Sequence, residues 1–312
     1  MRIVIALGGN ALLRRGQSLS ADNQLANVRR AVAQLALVAD ANDVLLTHGN
    51  GPQVGLLALQ SLSYTAVQPY PLDLLGAQTE GMIGYLLERE LRNLMPSRAI
   101  ATLVTCVEVD MADAAFLAPS KPIGPMYSVE EAPQIAQQHA WVMGLDGTGS
   151  RRVVPSPSPQ RIFALEPIEL LLSHGVLVIA AGGGGVPVTA TSDGKGFRGV
   201  EAVIDKDATS SMLAQALHAD CLVIATDVDA VYLDFGQVTQ RPLYSASPAG
   251  LSEITFPAGS MRPKIEAACN FVKATGKRAV IGSLDNIEAM LRGDAGTQIR
   301  IDGALRPERS LR

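Results

Sequence analysis

Three short runs of consecutive apolar residues each break off into glycine, and this arrangement restricts the possible folds more than any other feature of the chain. Ile3-Val4-Ile5-Ala6-Leu7 stops at Gly8-Gly9-Asn10, Val44-Leu45-Leu46-Thr47 stops at His48-Gly49-Asn50-Gly51, and Val176-Leu177-Val178-Ile179-Ala180 runs on to Gly182-Gly183-Gly184-Gly185. A strand that is apolar at every position is covered on both faces, the situation of a parallel sheet flanked by helices. Between the first two runs, Leu25, Val28, Val32, Leu35 and Ala39 recur at spacings of three and four, the stripe of a helix with one buried face. Strand, helix and strand in this order predict a mainly parallel α/β sheet.

The same alternation continues downstream. The pattern predicts a helix from near Pro52, a longer one from Asp73 to Leu94 with Ile83, Leu87, Leu91 and Leu94 on one face, and a strand from Ile100 to Val107. Further helices are expected over Glu166 to Ser173, Lys206 to His218 and Lys264 to Thr275, the last burying Ile265, Ala268, Cys269 and Val272. Strands are expected at Cys221 to Thr226, Ala279 to Gly282 and Gln298 to Ile301, followed from Asp302 by a polar, frayed tail. Glu108 to Gln160 breaks the rhythm, because it holds seven prolines, from Pro119 to Pro159, and no long apolar run. It reads as an insertion projecting from the sheet. The polar, glycine-rich run Thr191 to Gly199 is the expected linker between an N-terminal lobe, 1–199, and a C-terminal lobe, 200–312.

Composition narrows the function classes. At 312 residues, 47% hydrophobic and 18% charged, the chain has the makings of a large core, and with only 4% aromatic residues that core is aliphatic. A net charge of −4 without an internal basic block argues against a nucleic-acid surface. Cys106, Cys221 and Cys269 are far apart and lack CxxC spacing, which fits neither a disulfide framework nor a zinc site. The apolar run after Met1-Arg2 is too short for a secretory leader, and no run approaches a membrane span, so a cytoplasmic protein is expected.

In open α/β sheets, ligands sit beyond the carboxyl ends of the strands, where all three glycine loops fall. Glycine allows positive φ, which aligns successive N–H groups as an anion nest, and its missing Cβ lets phosphate approach closely. Tight turning alone is the bland reading of one such loop; three on one rim suggest more. Neither a Walker A sequence nor GxGxxG is present. Lys206 sits at the entry to a predicted helix, in Asp205-Lys206-Asp207, and Lys264 opens another. Cations gain nothing from a helix N-terminus, so lysines there make most sense with an anion bound between them, although solvated lysines are the ordinary alternative. Asp205 and Asp207 read either as helix caps or as carboxylates holding an ammonium group.

Ala6-Leu7-Gly8-Gly9-Asn10-Ala11-Leu12, Thr47 to Gly55, Glu80-Gly81-Met82-Ile83-Gly84-Tyr85, Lys121-Pro122-Ile123-Gly124-Pro125, Arg151 to Pro157, Glu201 to Asp207 and Thr226 to Tyr232 together resemble the carbamate kinase family of the amino-acid kinase superfamily. The resemblance extends to about Ile301. It implies a three-layer αβα sandwich with a projecting lid subdomain at 107–162, a homodimer, and reversible phosphoryl transfer between carbamoyl phosphate and ADP. ATP or ADP would be the co-substrate, with Mg²⁺ held mainly by the nucleotide phosphates and no dedicated protein metal site. The metabolic setting so implied is arginine or purine catabolism.

By the same resemblance, Gly8, Gly9, Asn10, Asn50 and Gly51 would cradle carbamoyl phosphate. Lys121, Lys206, Asp207 and Lys264 would be catalytic, with Asp207 orienting the lysines, and Thr226, Asp227, Tyr232, Met261 and Lys264 would border the nucleotide. Superfamily relatives often carry a lysine where this chain has Ala6, and Lys121, brought in by the lid, fits that role. Arg151 and Arg152 either help the lid close over phosphate or are structural, and His48 reads as a hydrogen-bonding loop residue. Arg262 departs from the glycine usual in the family's Gly-Ser-Met-Gly-Pro-Lys, and is expected to clamp phosphate or crowd the nucleotide. Two alternatives follow: a related enzyme acting on another small carboxylate or phosphonate, or a silent nucleotide-binding paralogue in which Arg262 blocks the phosphate.

Overall fold

The computed structural model describes residues 1–13, 16–256 and 261–307, without the side chains of Asn10 and Ala11. Strand β1 (Arg2–Leu7) leads through α1 (Gly9–Leu12) and α2 (Ala21–Ala39) to β2 (Asp43–His48), then α3 (Gly51–Ser63), α4 (Leu72–Leu94), β3 (Ile100–Thr102) and β4 (Cys106–Val109). The insertion contributes β5 (Lys121–Tyr127), α5 (Ala132–His139), β6 (Met143–Asp146), β7 (Gly149–Val154) and β8 (Pro159–Ile162). After it come α6 (Leu165–Ser173), β9 (Leu177–Ile179), β10 (Val186–Ala190), β11 (Phe197–Gly199), α7 (Lys206–Ala216) and β12 (Cys221–Thr226). The chain closes with β13 (Val231–Leu233), β14 (Arg241–Leu243), β15 (Ser245–Ala246), α8 (Pro248–Ser252), α9 (Met261–Thr275), β16 (Arg278–Ser283), α10 (Ile287–Arg292) and β17 (Thr297–Ile299).

Eight strands form the central sheet in the order β15-β17-β16-β12-β1-β2-β9-β3, parallel at every pairing except β16 with β17. Side chains alternate across it, and the two faces bury separate cores. Ile3, Ile5, Leu7, Leu46 and Val223 pack with Val28 and Leu35 of α2 and Ile83 and Leu87 of α4. Val4, Ala6, Leu45, Leu222 and Ile224 pack with Ile168 of α6, Leu213 of α7 and Val272 of α9. Each fully buried aliphatic side chain stabilises the fold by about 1.5–3 kcal/mol, so both helical layers are held by the one sheet. This is the three-layer αβα arrangement with a mainly parallel centre.

Four expectations need correction. Ile100 to Val107 is two strands: after Thr102 the chain leaves the central sheet, and β4 joins a four-stranded sheet ordered β11-β10-β4-β8. No glycine or proline marks the change of sheet, which is why the sequence reads as one apolar run. Thr191 to Gly199 is a hairpin turn with its return strand, β11 pairing antiparallel with β10. Leu94 is 52% exposed at the end of α4. The start of the tail is pinned rather than frayed, since Tyr244 donates its N–H to Arg306 O at 2.9 Å and Arg306 donates its own to Ser245 O at 3.0 Å. The tail's last residues, 308–312, lie outside the described residues.

Within the insertion, β5, β7 and β6 form a separate antiparallel sheet that stands over α3. Its two ends, β4 and β8, pair with each other, so the projecting sheet is anchored on a paired stem.

Candidate active site

The first two glycine loops begin side by side because the sheet ladder continues beyond its strands. Gly8 donates its N–H to Ala225 O at the end of β12, 2.8 Å, and Gly49 donates to Leu7 O, 3.0 Å. Asn50 is buried, and its Nδ2 donates to Thr79 Oγ1 of α4 at 2.8 Å, so it caps α3 by backbone position while its side chain is committed elsewhere. Gly9 starts α1 and Gly51 starts α3. The side chain of Asn10 lies outside the described residues.

Opposite these loops, α7 begins with Asp205, whose Oδ1 accepts the N–H groups of Asp207 and Ala208 at 2.9 and 3.1 Å. That is an N-cap, as expected. Its other oxygen, Oδ2, accepts from Lys121 Nζ of the projecting sheet. The sequence reading did not find this pairing, because nothing local links residues so distant in the chain. Asp207 is buried and serves two lysines: Lys206 Nζ bonds Oδ1 at 2.6 Å and Lys264 Nζ bonds Oδ2 at 2.9 Å. Lys121, Lys206 and Lys264 are therefore drawn onto two carboxylates of one helical turn. α9 starts at Met261, so Lys264 stands inside its first turn instead of opening it.

The charges explain why these side chains tolerate burial. Burial by itself would raise the Asp207 carboxyl, but Lys206 and Lys264 outweigh it and hold that carboxyl far below the usual range. At Asp205 burial likewise pushes upward, and Lys121 brings the net shift down. Burial lowers the Lys206 ammonium, which lies beside the like charge of Lys264, whereas at Lys264 the pull of Asp207 outweighs burial and raises it. An ammonium group has three donors, and each lysine commits one to a carboxylate. The remaining donors suit a phosphoryl group, whose charge is spread over several oxygens.

On the far side, Thr226 is buried at the end of β12 with its hydroxyl donating to Asp227 Oδ1 at 3.1 Å. Asp227 acts electrostatically on Lys264. Tyr232 donates to Asp229 Oδ1 at 2.5 Å, a bond that pushes its phenol up to about 12. Met261 packs partly against the core, and the Gly259-Ser260 pair before it lies outside the described residues.

Other candidates make their bonds away from the lysines. Arg262 is paired outward: its Nε donates to Glu266 Oε1 at 2.8 Å, one turn along the solvent face of α9, and its side chain is 63% exposed. Arg151 bonds Gly124 O twice, at 2.6 and 3.0 Å, within the projecting sheet. Arg152 stacks on the Trp141 ring at 4.6 Å and pairs with Glu201 at 3.4 Å. Both arginines make structural contacts. His48 is buried with Nδ1 against Gly49 O at 3.3 Å, a loop-holding contact. Sequence reasoning missed Thr79, Thr105 and Glu80; of these only Glu80 lies inside a family-like motif, and the two threonines carried no signal.

A parallel sheet whose strand ends meet three lysines and a row of backbone amides is the architecture of an α/β phosphotransferase, and a model of the amino acid kinase family matches residues 1–283. The chain belongs to that family. It is similar to the carbamate kinase of Haemophilus influenzae, with 54% identity over 300 residues covering 96% of each chain. The carbamate kinase of Rhizobium meliloti is 52% identical over 302 residues, covering 96% of this chain and 93% of that one. Among solved structures, the carbamate kinase from Giardia lamblia bound to AMP-PNP superimposes with a TM-score of 0.85 at 37% identity, covering 96% of this chain and 98% of the other. Within the amino acid kinases, the chain belongs with the carbamate kinases.

Proposed function

We propose that this protein transfers a phosphoryl group reversibly between carbamoyl phosphate and ADP, giving carbamate and ATP. The observation that carries this reading is the convergence of Lys121, Lys206 and Lys264 on Asp205 and Asp207 beside the glycine loops. Phosphoryl transfer asks the protein for alignment and for neutralisation of charge on the moving group, with little covalent help. Gly8, Gly9, Asn10, Asn50 and Gly51 hold the carbamoyl phosphate, and Thr226, Asp227, Tyr232, Met261 and Lys264 border the nucleotide. Asp207 keeps Lys206 and Lys264 a fixed distance apart, so neither has to be ordered during the reaction. The carbamate oxygen that attacks or leaves is anionic in its free form, so no general base is required.

The nucleotide enters as its Mg²⁺ complex. Mg²⁺ would be held mainly by the nucleotide phosphates, while both oxygens of Asp205 and both of Asp207 accept N–H donors from the protein. In this reading residues 107–162 act as a lid that brings Lys121 over the substrate and keeps water from a labile acyl phosphate. Residues 1–199 form the carbamoyl phosphate side and 200–312 the nucleotide side. A cytoplasmic homodimer is part of the same proposal; among the described residues no helix is long and apolar enough to cross a membrane. Purified protein given carbamoyl phosphate, ADP and Mg²⁺ makes ATP if the proposal holds, and ATP no faster than the uncatalysed background rejects it.

A further inference from the structure

Glu80 follows Thr79, the residue that holds Asn50, and is 2% exposed within α4. Its Oε2 accepts the Thr105 amide at 3.0 Å, and the backbone of Gly182 packs against the same side chain. Its Oε1 is buried without a hydrogen-bond partner, and no cation among the described residues pairs with the group. An ionised carboxyl would be a lone buried charge; protonation removes that charge, keeps Oε2 as the acceptor of the Thr105 amide and leaves the O–H on the Oε1 side. The titratable groups around it supply no compensating charge. His48 of β2 flanks the same face of Gly182, where a Cβ would stand 2.5 Å from His48 Nε2 and 2.7 Å from Glu80 Cγ. Its Nδ1 faces the Gly49 carbonyl and so carries the ring proton, and burial pushes the imidazole down to about 4. Cys106 of β4 is raised by burial and by Glu80, and Lys206 of α7, beyond His48, is committed to Asp207.

We propose that Glu80 is a positioning residue, seated as an uncharged carboxylic acid that holds Thr105 and, through it, presses the Ala181–Gly185 turn against Asn50 and the entry to α7. Thr105 grips both ends of this turn: Ala181 donates to Thr105 Oγ1 at 2.9 Å and Val186 to Thr105 O at 2.8 Å. The turn is built from left-handed backbone, with φ of 50° at Ala181, 67° at Gly183 and 97° at Gly184. Gly183 lies so close to the Asn50 amide that a Cβ would stand 2.2 Å from Nδ2, and Gly184 O accepts Thr209 Oγ1 of α7 at 2.9 Å. Any shift of the turn is therefore passed to Asn50 on one side and to the helix carrying Lys206 on the other. Burial, opposed by the Thr105 and Gly182 amides, raises the Glu80 carboxyl to about 8, consistent with an acid neutral at pH 7.

The inference rests on the phosphotransfer reading, and the test separates the two. ATP formation by wild type, Glu80→Gln and Glu80→Leu is compared from about pH 6 to pH 9. Glu80→Gln is expected to keep kcat and the carbamoyl phosphate KM within about twofold near neutrality and to lack the loss of affinity that wild type shows near pH 8, whereas Glu80→Leu raises that KM about tenfold with the ADP KM unmoved. Calorimetric titration with carbamoyl phosphate replaces rates if wild type forms no ATP. Independently of turnover, difference infrared spectra at neutral pH should show a protonated-carboxyl band that Glu80→Gln removes. Glu80→Gln as impaired as Glu80→Leu, matching pH profiles in wild type and Glu80→Gln, or an infrared band unaffected by the substitution overturns the proposal.

Discussion

Gly124 of the projecting sheet rests on Gly55 of α3 so closely that a Cβ on Gly55 would stand 1.8 Å from the Gly124 Cα. Both partners are backbone, so the clash cannot be relieved by a rotamer change, and β5 must lift. Lys121 begins β5, and misplacing a reacting or charge-stabilising group by about 1 Å costs on the order of 10²-fold in rate. Gly55→Ala is therefore expected to lower ATP-forming turnover at least tenfold while α2, α4 and the central sheet stay intact by circular dichroism. Unchanged turnover would show that Lys121 is not positioned through this contact.

The two outer lysines should fail differently. Lys121 is partly exposed and pairs at the surface of Asp205, so Lys121→Ala should cost roughly 10²–10³ in kcat with little change in Tm. Lys264 is 8% exposed and neutralises half of the buried Asp207 carboxylate. Breaking a buried pair costs about 3–5 kcal/mol, an upper bound here because Lys206 remains, so Lys264→Ala should lose both turnover and stability. Chemical denaturation beside steady-state rates separates the cases; wild-type turnover in either variant removes that lysine from the mechanism.

Stability should depend on pH through two buried groups that act in opposite senses. Burial lifts Glu80 from 4.5 to about 8, so across that window the native state holds a proton that the unfolded state has released, and stability falls as pH rises. Burial lowers His48 from 6.5 to about 4, so there the unfolded state holds the extra proton, and stability falls as pH drops. Each slope is at most about 1.4 kcal/mol per pH unit, and the two cancel where the windows overlap. Relative to wild type, Glu80→Gln should gain stability steadily from pH 4.5 to 8 and should expose the acid-side loss due to His48. Urea unfolding at intervals across the range measures this, and a wild-type-to-variant difference independent of pH contradicts it.

Arg262 offers a control of the opposite kind. Because it pairs with Glu266 on the outer face of α9, Arg262→Gly should leave the KM for ADP within about twofold of wild type. A tenfold change in that constant would mean that the arginine reaches the nucleotide after all.

The elements themselves were readable from local pattern. Short, β-branched apolar runs cut off by glycine, such as Ile3 to Leu7, read as strands covered on both sides, and the spacing of Val28, Val32 and Leu35 allows one helical face, so the layered sheet and the glycine loops at its strand ends follow from neighbours in sequence. The break between β3 and β4 was invisible because no glycine or proline interrupts Ile100 to Val107, and apolar character alone does not say which sheet a strand joins.

For the site, residue types and glycine spacing marked Lys206, Asp207 and Lys264, and the cap at Asp205 was legible from its place before a helix. The partnerships were decided only in three dimensions: Lys121 to Asp205, Lys206 and Lys264 to the two oxygens of Asp207, and Arg262 outward to Glu266. Glu80 is the sharpest case, since a glutamate in a helix reads as a solvated charge until the packing of Thr105 and Gly182 around it excludes water. Periodicity is a property of adjacent residues and survives in one dimension. Protonation state and charge pairing depend on how far water is kept away and on which distant segment fills the space, and those are properties of the folded chain alone.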